Sequence, residues 1–266
     1  CFHCGYSGGN THSTRPTHPP EPSRINAEYV RQGQAALLQD RAALSYLLND
    51  RALKMESIKH FQLGYEPVSP AYQPAIILPH FNMDGKVSGI KYRHLSDDVD
   101  PKYIYVKGSR PFIYNAPVLL SSRFPWVVIT EGEIDCISLL QIAAQLPAVG
   151  FPGMQFWKDR WLKWFERFER VYLAFDNTDS ASEAAEKLAG ILKDYRCYRV
   201  LPPAGIKDLN EILVKAGQKK GLCIWKQLMR EAKCIGQPLI KETSEYSQEV
   251  KEAFFGGQSK KQTTGF

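Results

Sequence analysis

A chain of 266 residues, 44% of them hydrophobic, can bury one sizeable core and a second, smaller one. It contains no uninterrupted apolar run of the roughly 18 residues a membrane span needs and opens on no charged-then-apolar leader, so an intracellular protein is expected. A formal charge of +6 permits a polyanionic partner without requiring one, and any basic surface has to be found locally.

The first six residues, CFHCGY, have the C-x-x-C-G form in which a tight turn aims two thiolates at one ion, making Cys1 and Cys4 half of a zinc site. The other half would lie upstream or be His12 and His18; a chance C-x-x-C is the simpler alternative. Residues 7–24 carry four prolines and two glycines with few large apolar side chains, and predict an extended linker. From Ala27 to Lys59, Leu37, Leu38, Leu44, Tyr46, Leu47 and Leu48 recur at helical spacing and predict two or three short core helices. Residues 75–95 predict a strand, an Asp-Gly turn and a second strand. In that second strand Lys91 and Arg93 share one face, with Ile90 and Tyr92 on the other. A solvated hairpin face would account for the two cations alone. Lys102, Lys107 and Arg110 follow, however, among Tyr103, Tyr105 and Phe112, and basic residues interleaved with aromatics suit a single-stranded nucleic-acid groove.

Beyond Phe124 the rhythm changes. Strands are predicted at 127–130, 171–175 and 197–201, helices at 137–145 and 183–193, and a crossing at 147–153. An amphipathic helix is expected to carry Trp157, Trp161, Phe165 and Phe168 on one core-facing stripe. This alternation predicts an α/β fold, a parallel sheet with flanking helices. Cys136, Cys197, Cys223 and Cys234 lie among apolar residues and read as buried, reduced thiols.

Each of these strands runs into carboxylates: Glu131, Glu133 and Asp135 after the first, Asp176 and Asp179 after the second, and Asp208, flanked by Lys207 and Asn210, after the third. In an open parallel sheet all carboxyl ends share one edge, where ligands bind. Converging hard oxygen donors, with no histidine or cysteine among them, point to Mg²⁺ or Mn²⁺ and to phosphoryl-transfer chemistry. Helix N-capping is the competing explanation for Asp135 and Asp176.

E-G-x-x-D after an apolar strand, an acidic D-x-D-type turn after the next, and K-D-x-N opening a helix together resemble the TOPRIM fold of DnaG-like primases. The stretches TEGEIDCISLL, FERVYLAFDNTDSASEAAEKLAGIL and VLPPAGIKDLNEIL are most similar to the primase part of phage bifunctional primase-helicases, a family that includes the mitochondrial helicase Twinkle. CFHCG resembles the second half of a primase zinc ribbon, ALSYLLNDRALKMESIKHFQLGY the segment leading into the primase core, and KKQTTGF the opening of a RecA-like helicase domain.

The resemblance implies a zinc-ribbon remnant at 1–6, a linker at 7–24, a basic α+β subdomain at 25–124, a TOPRIM catalytic subdomain at 125–235, and a linker at 236–266 to a helicase domain in cis. It implies synthesis of RNA primers from ribonucleoside triphosphates on single-stranded DNA, with Mg²⁺ as cofactor and Zn²⁺ bound only with the upstream half of the ribbon. The compartment would be a bacterial or phage-infected cytoplasm, or a mitochondrion. Glu131 would be a metal ligand or general acid/base; Asp135, Asp176 and Asp208 would hold Mg²⁺, with Asp179 as a further ligand; Asn210 would assist. Lys91, Arg93, Lys102, Lys107 and Lys207 would guide template or nucleotide, while Gly132 and Gly153 would allow close backbone approach. One position departs from the family: Thr178 stands where D-x-D has its second aspartate. A neutral hydroxyl is a poorer ligand, which keeps two rival functions open: a single-strand-binding module supporting a helicase, and a TOPRIM nuclease.

Overall fold

The computed structural model describes residues 24–236. The zinc pair Cys1 and Cys4, the linker up to residue 23 and the stretch from 237 onward, KKQTTGF included, lie outside the described residues.

The helical stretch breaks into α1 (Ala27–Gln39), α2 (Arg41–Ser45), a π-turn at Tyr46–Asp50 and α3 (Met55–His60). Asn26 and Asp40 cap the first two, each side chain accepting the N–H three residues on, which is why the chain restarts rather than runs through. Val30, Leu37, Ala43, Leu47 and Ile58 are the apolar side chains these elements bury. An antiparallel sheet follows in the order β1 (Gly64–Glu66), β2 (Ala75–Phe81), β3 (Val87–His94), β4 (Tyr103–Tyr105). The predicted hairpin is β2–β3, closed by Asn82, whose side chain accepts the N–H groups of Asp84 and Lys86, and by Gly85 at φ 73°. Ile90 and Tyr92 are fully buried on one face of β3.

After α4 (Val118–Ser121) the chain builds a second, five-stranded sheet ordered β6–β5–β7–β8–β9, from β5 (Trp126–Thr130), β6 (Ala148–Gly150), β7 (Arg170–Ala174), β8 (Cys197–Arg199) and β9 (Lys233–Cys234). All pairings are parallel except β8–β9. Along β5, Trp126 and Val128 join one apolar core with α5 (Glu133–Ile142) and α8 (Leu209–Glu231). Val127 and Ile129 join the other, with α6 (Leu162–Phe165) and α7 (Asp179–Leu192), as the two-residue period of a doubly covered strand requires.

Several expectations are corrected. The stripe of Trp161, Phe165 and Phe168 is buried as core, but irregular turns and the four-residue α6 carry it, not one amphipathic helix: large rings reach the core without a regular backbone. The crossing at 147–153 contains the edge strand β6, whose three residues are too few to display a period. Cys136 and Cys197 are buried as expected, whereas Cys223 is exposed and Cys234 half-buried. Gly153 does need its missing side chain, at φ 101°, but Gly132 is in ordinary extended geometry, and a Cβ there would make only van der Waals contact. The close approach lies one strand over, where a Cβ on Gly150 would sit 3.0 Å from the Gly132 carbonyl.

Candidate active site at the carboxyl edge of the parallel sheet

Thr130 and Ala174 are register partners at the ends of β5 and β7, so the acids that follow emerge side by side. The Glu131 carboxylate accepts the backbone N–H of Asp176 at 2.9 Å. Asp135 stands in the first turn of α5 and accepts the Asn210 N–H at 3.0 Å. Asp208 caps α8, accepting the Glu211 N–H at 2.7 Å. These four acids line one cleft of about 540 Å³ whose facing wall carries Arg51, Lys91, Arg93 and Lys102. The capping explanation fails for Asp176, since Thr178 holds the cap position of α7; Asp135 does stand in the first turn of α5 and satisfies an N–H at the start of α8, so helix-end stabilisation accounts for part of its placement.

Burial, reinforced by Asp208 and Asp176, pushes the Asp135 carboxyl up to about 8. Burial and the neighbouring Glu131 and Asp208 push Asp176 up to about 6, against the pull of the Lys207 ammonium 3.7 Å away. Such values mark negative charge that the protein itself leaves uncompensated. Among the described residues no three carboxylate, imidazole or thiol groups close on a single point. The fit to a divalent cation therefore rests on donor chemistry: anionic oxygens only, crowded enough to repel, at the edge where such folds bind ligands.

The third acid of the E-G-E-x-D stretch behaves differently. Glu133 is 2% exposed and turns to the antiparallel sheet, where Lys91 Nζ reaches its two oxygens at 3.0 and 2.9 Å and His80 Nε2 lies 3.0 Å from Oε1. His80 Nδ1 is 3.0 Å from the Phe112 carbonyl, to which it donates. Burial alone would raise the Glu133 carboxyl; Lys91 and His80 outweigh it and hold the group well below the usual carboxylate range.

Among the other candidates, Lys91 and Arg93 do share one face, but Arg93 is buried and paired with Asp97 at 2.8 Å, and Lys102 reaches the same Asp97 at 3.1 Å. Lys107 lies in a separate cleft of about 1060 Å³, together with Lys86, Arg110, Lys158, Arg160 and Phe156. Asn210 has its side chain committed: its amide donates to the Arg51 carbonyl and to Ser138 Oγ, both at 2.9 Å, so only its backbone addresses the acids. Asp179 and Thr178 are exposed and line neither cleft; Thr178 Oγ1 accepts the Ala181 N–H that opens α7.

Arg51 is a member of the site that no sequence motif marks. It follows the π-turn, donates from Nε to the Tyr46 hydroxyl at 2.7 Å and from Nη1 to Asn210 Oδ1 at 3.2 Å, and stands against the cleft. π-turns recur at functional sites, but nothing in one sequence announces them. Tyr103, expected only within the basic groove, lines the acidic cleft, with Lys91 and Arg93 at 4.9 and 5.5 Å from its ring centre.

Known proteins resemble this chain in sequence and in fold. Residues 128–213 match the Toprim-like family. The Gene 57 protein of Mycobacterium phage D29 is 30% identical over 151 residues, covering 55% of this chain and 95% of the phage protein. A DNA primase of Synechococcus elongatus is 25% identical over 221 residues, 65% of this chain, which spans about a third (32%) of that primase. Two solved structures share the fold. The RNA polymerase domain of Mycobacterium tuberculosis primase DnaG, in complex with a double-stranded DNA oligomer with a 6-nucleotide overhang, aligns with a TM-score of 0.63 at 18% identity over 79% of this chain and 80% of that one. The primase fragment of the bacteriophage T7 primase-helicase aligns with 0.52 at 20% identity over 65% and 71%. The chain belongs to the Toprim-like family and shares its fold with DnaG-type primase cores.

Proposed function

We propose that this chain is the core of a DNA primase, which joins ribonucleoside triphosphates on a single-stranded DNA template. The observation that carries the reading is the cleft itself: Asp135 and Asp176, raised by burial and by their acidic neighbours, face a wall that carries cations. That is the charge distribution a metal-bound polyphosphate requires. Glu131, Asp135, Asp176 and Asp208 would hold Mg²⁺, whose chemistry there is to neutralise phosphate charge and to make a 3′-hydroxyl more acidic.

The chain's own side chains do the positioning. Arg51 and Lys102 bind the triphosphate oxygens from the facing wall, where Lys91 and Arg93 add positive potential from within their pairs with Glu133 and Asp97, and Lys207 at Asp176 reaches the same oxygens from the acid side. Glu131, already accepting the Asp176 N–H, keeps its other oxygen for the hydroxyl proton or the metal. The template follows β3 and β4 from the acidic cleft to the basic one, where Lys86, Lys107, Arg110, Lys158 and Arg160 meet its phosphates and Phe156 its bases. Cys1 and Cys4 would complete a zinc ribbon with upstream ligands, and a helicase domain would follow in cis.

Thr178 favours one alternative, a strand-binding module without catalysis. The test supplies a short oligoribonucleotide annealed to single-stranded DNA, with Mg²⁺ and labelled ribonucleotides. Extension by the parent, lost with Glu131→Ala, is expected. No extension by the parent, with activity gained by Thr178→Asp, would instead assign strand binding as the function. Degradation of labelled DNA without nucleotides would make the chain a nuclease.

A further inference from the structure

Two arginines bracket β8 and spend their donors on backbone carbonyls, at opposite edges of the sheet. Arg196, just before the strand, is 8% exposed and donates to the carbonyls of Phe165 (3.0 Å) and Phe168 (2.7 Å) and to that of Leu192. Arg199, at the strand's last position and about 10 Å further along it, donates from Nη2 to the Asp176 carbonyl at 2.7 Å. Its Nη1 is shared among the carbonyls of Phe175 (2.9 Å), Val200 (3.1 Å) and Leu173 (3.2 Å). The carbonyls of Phe175 and Asp176 lie past the end of β7, where the strand ladder no longer supplies partners, and a buried carbonyl without one is costly.

The same residue is held from its other side, since the Asp176 N–H is taken by Glu131. Both backbone polar groups of Asp176 are therefore fixed by side chains, leaving only its own χ angles to place the carboxylate. Lysine could not reproduce the arrangement. It carries the charge but has no planar fork to span several carbonyls.

We propose that Arg199 is a positioning residue of the acidic site: its guanidinium clamps the turn after β7 and so fixes the Asp176 carboxylate for a divalent cation. This rests on the reading of the cleft as a metal-dependent nucleotidyl-transfer site. Arg196 is the internal control, a guanidinium of the same kind of bonding at the edge away from the acids.

The test titrates the 266-residue chain with Mg²⁺ alone by calorimetry, for the parent, Arg199→Lys, Arg199→Gln and Arg196→Lys, and measures kcat and KM in primer extension alongside. Arg199→Lys and Arg199→Gln are expected to weaken Mg²⁺ binding by about 10- to 100-fold and to lower kcat with little change in nucleotide KM. Arg196→Lys is expected to lower the melting temperature while binding Mg²⁺ as the parent does. If Arg199→Gln does not fold, Arg199→Lys alone decides. Parental Mg²⁺ affinity in Arg199→Lys, or an equal loss in Arg196→Lys, overturns the proposal and leaves the metal site standing; absence of saturable Mg²⁺ binding by the parent overturns both.

Discussion

Replacing Asp135 by asparagine should stabilise the protein when no metal is present. The side chain keeps its shape and its acceptor for the Asn210 N–H, and loses only the charge that the fold resists. In the folded chain the carboxyl is raised from an ordinary 3.8 to about 8. Between those values the unfolded chain ionises while the folded one keeps its proton, so the parent loses stability as pH rises through this window and the loss is complete above it. At about 1.4 kcal/mol for each pH unit crossed, the full penalty is on the order of 5 kcal/mol. Asp135 lines the cleft and is only partly buried, which lowers the expected value to about 2–3 kcal/mol. Urea unfolding followed by tryptophan fluorescence in a chelator should therefore give Asp135→Asn an advantage of that size at about pH 8.5, shrinking to nothing near pH 4. Added Mg²⁺ should reverse the order by stabilising the parent alone. Equal stability of the two proteins in chelator at the alkaline end would refute the argument that crowded carboxylates are the source of the metal affinity.

Glu133→Gln should act in the opposite sense, because Lys91 loses its buried counter-charge; a loss of about 3–5 kcal/mol is expected at neutral pH, largely recovered in Glu133→Gln with Lys91→Met. The parental contribution is present above the ordinary glutamate value of 4.5 and fades as pH falls toward the lowered folded value, so the difference between the proteins should narrow in acid. Lys107→Ala with Arg110→Ala should weaken single-strand binding and flatten its salt dependence by about 0.7 in log–log slope for each phosphate left without a cation; an unchanged slope would place the strand elsewhere. Thr178→Ala should cost about 1 kcal/mol by uncapping α7, whereas Thr178→Asp keeps a capping oxygen and should be neutral in thermal melts.

The parallel sheet was legible because its strands are uniform apolar runs that end in acids, and the rule for carboxyl edges then brings Glu131, Asp135, Asp176 and Asp208 together on sequence alone. The hairpin was legible from Asp84-Gly85 and the alternation of Ile90 to Arg93. What escaped was decided by contacts distant in sequence. The type and spacing of Glu131, Glu133 and Asp135 are nearly the same, and only the helix phase and the arrival of Lys91 and His80 separate the buried acid from the two that face the cleft. Arg51 reaches the site through a π-turn and a bond to Asn210, 159 residues away. β1, β4 and β6 have three residues each, too short to write a period into the chain.

The buried Lys91–Glu133–His80 cluster joins the two walls of the cleft, tying the antiparallel sheet that carries Lys91 and Arg93 to the first turn of α5 beside the acids. Separating the sheets would pull Lys91 and His80 away from Glu133, so any motion between the two walls has to break these contacts. The jaw is thus set at a fixed gape. On the proposed primase reading, nucleotides of differing base would present the same triphosphate to the same span, and choice among bases would fall to the template strand.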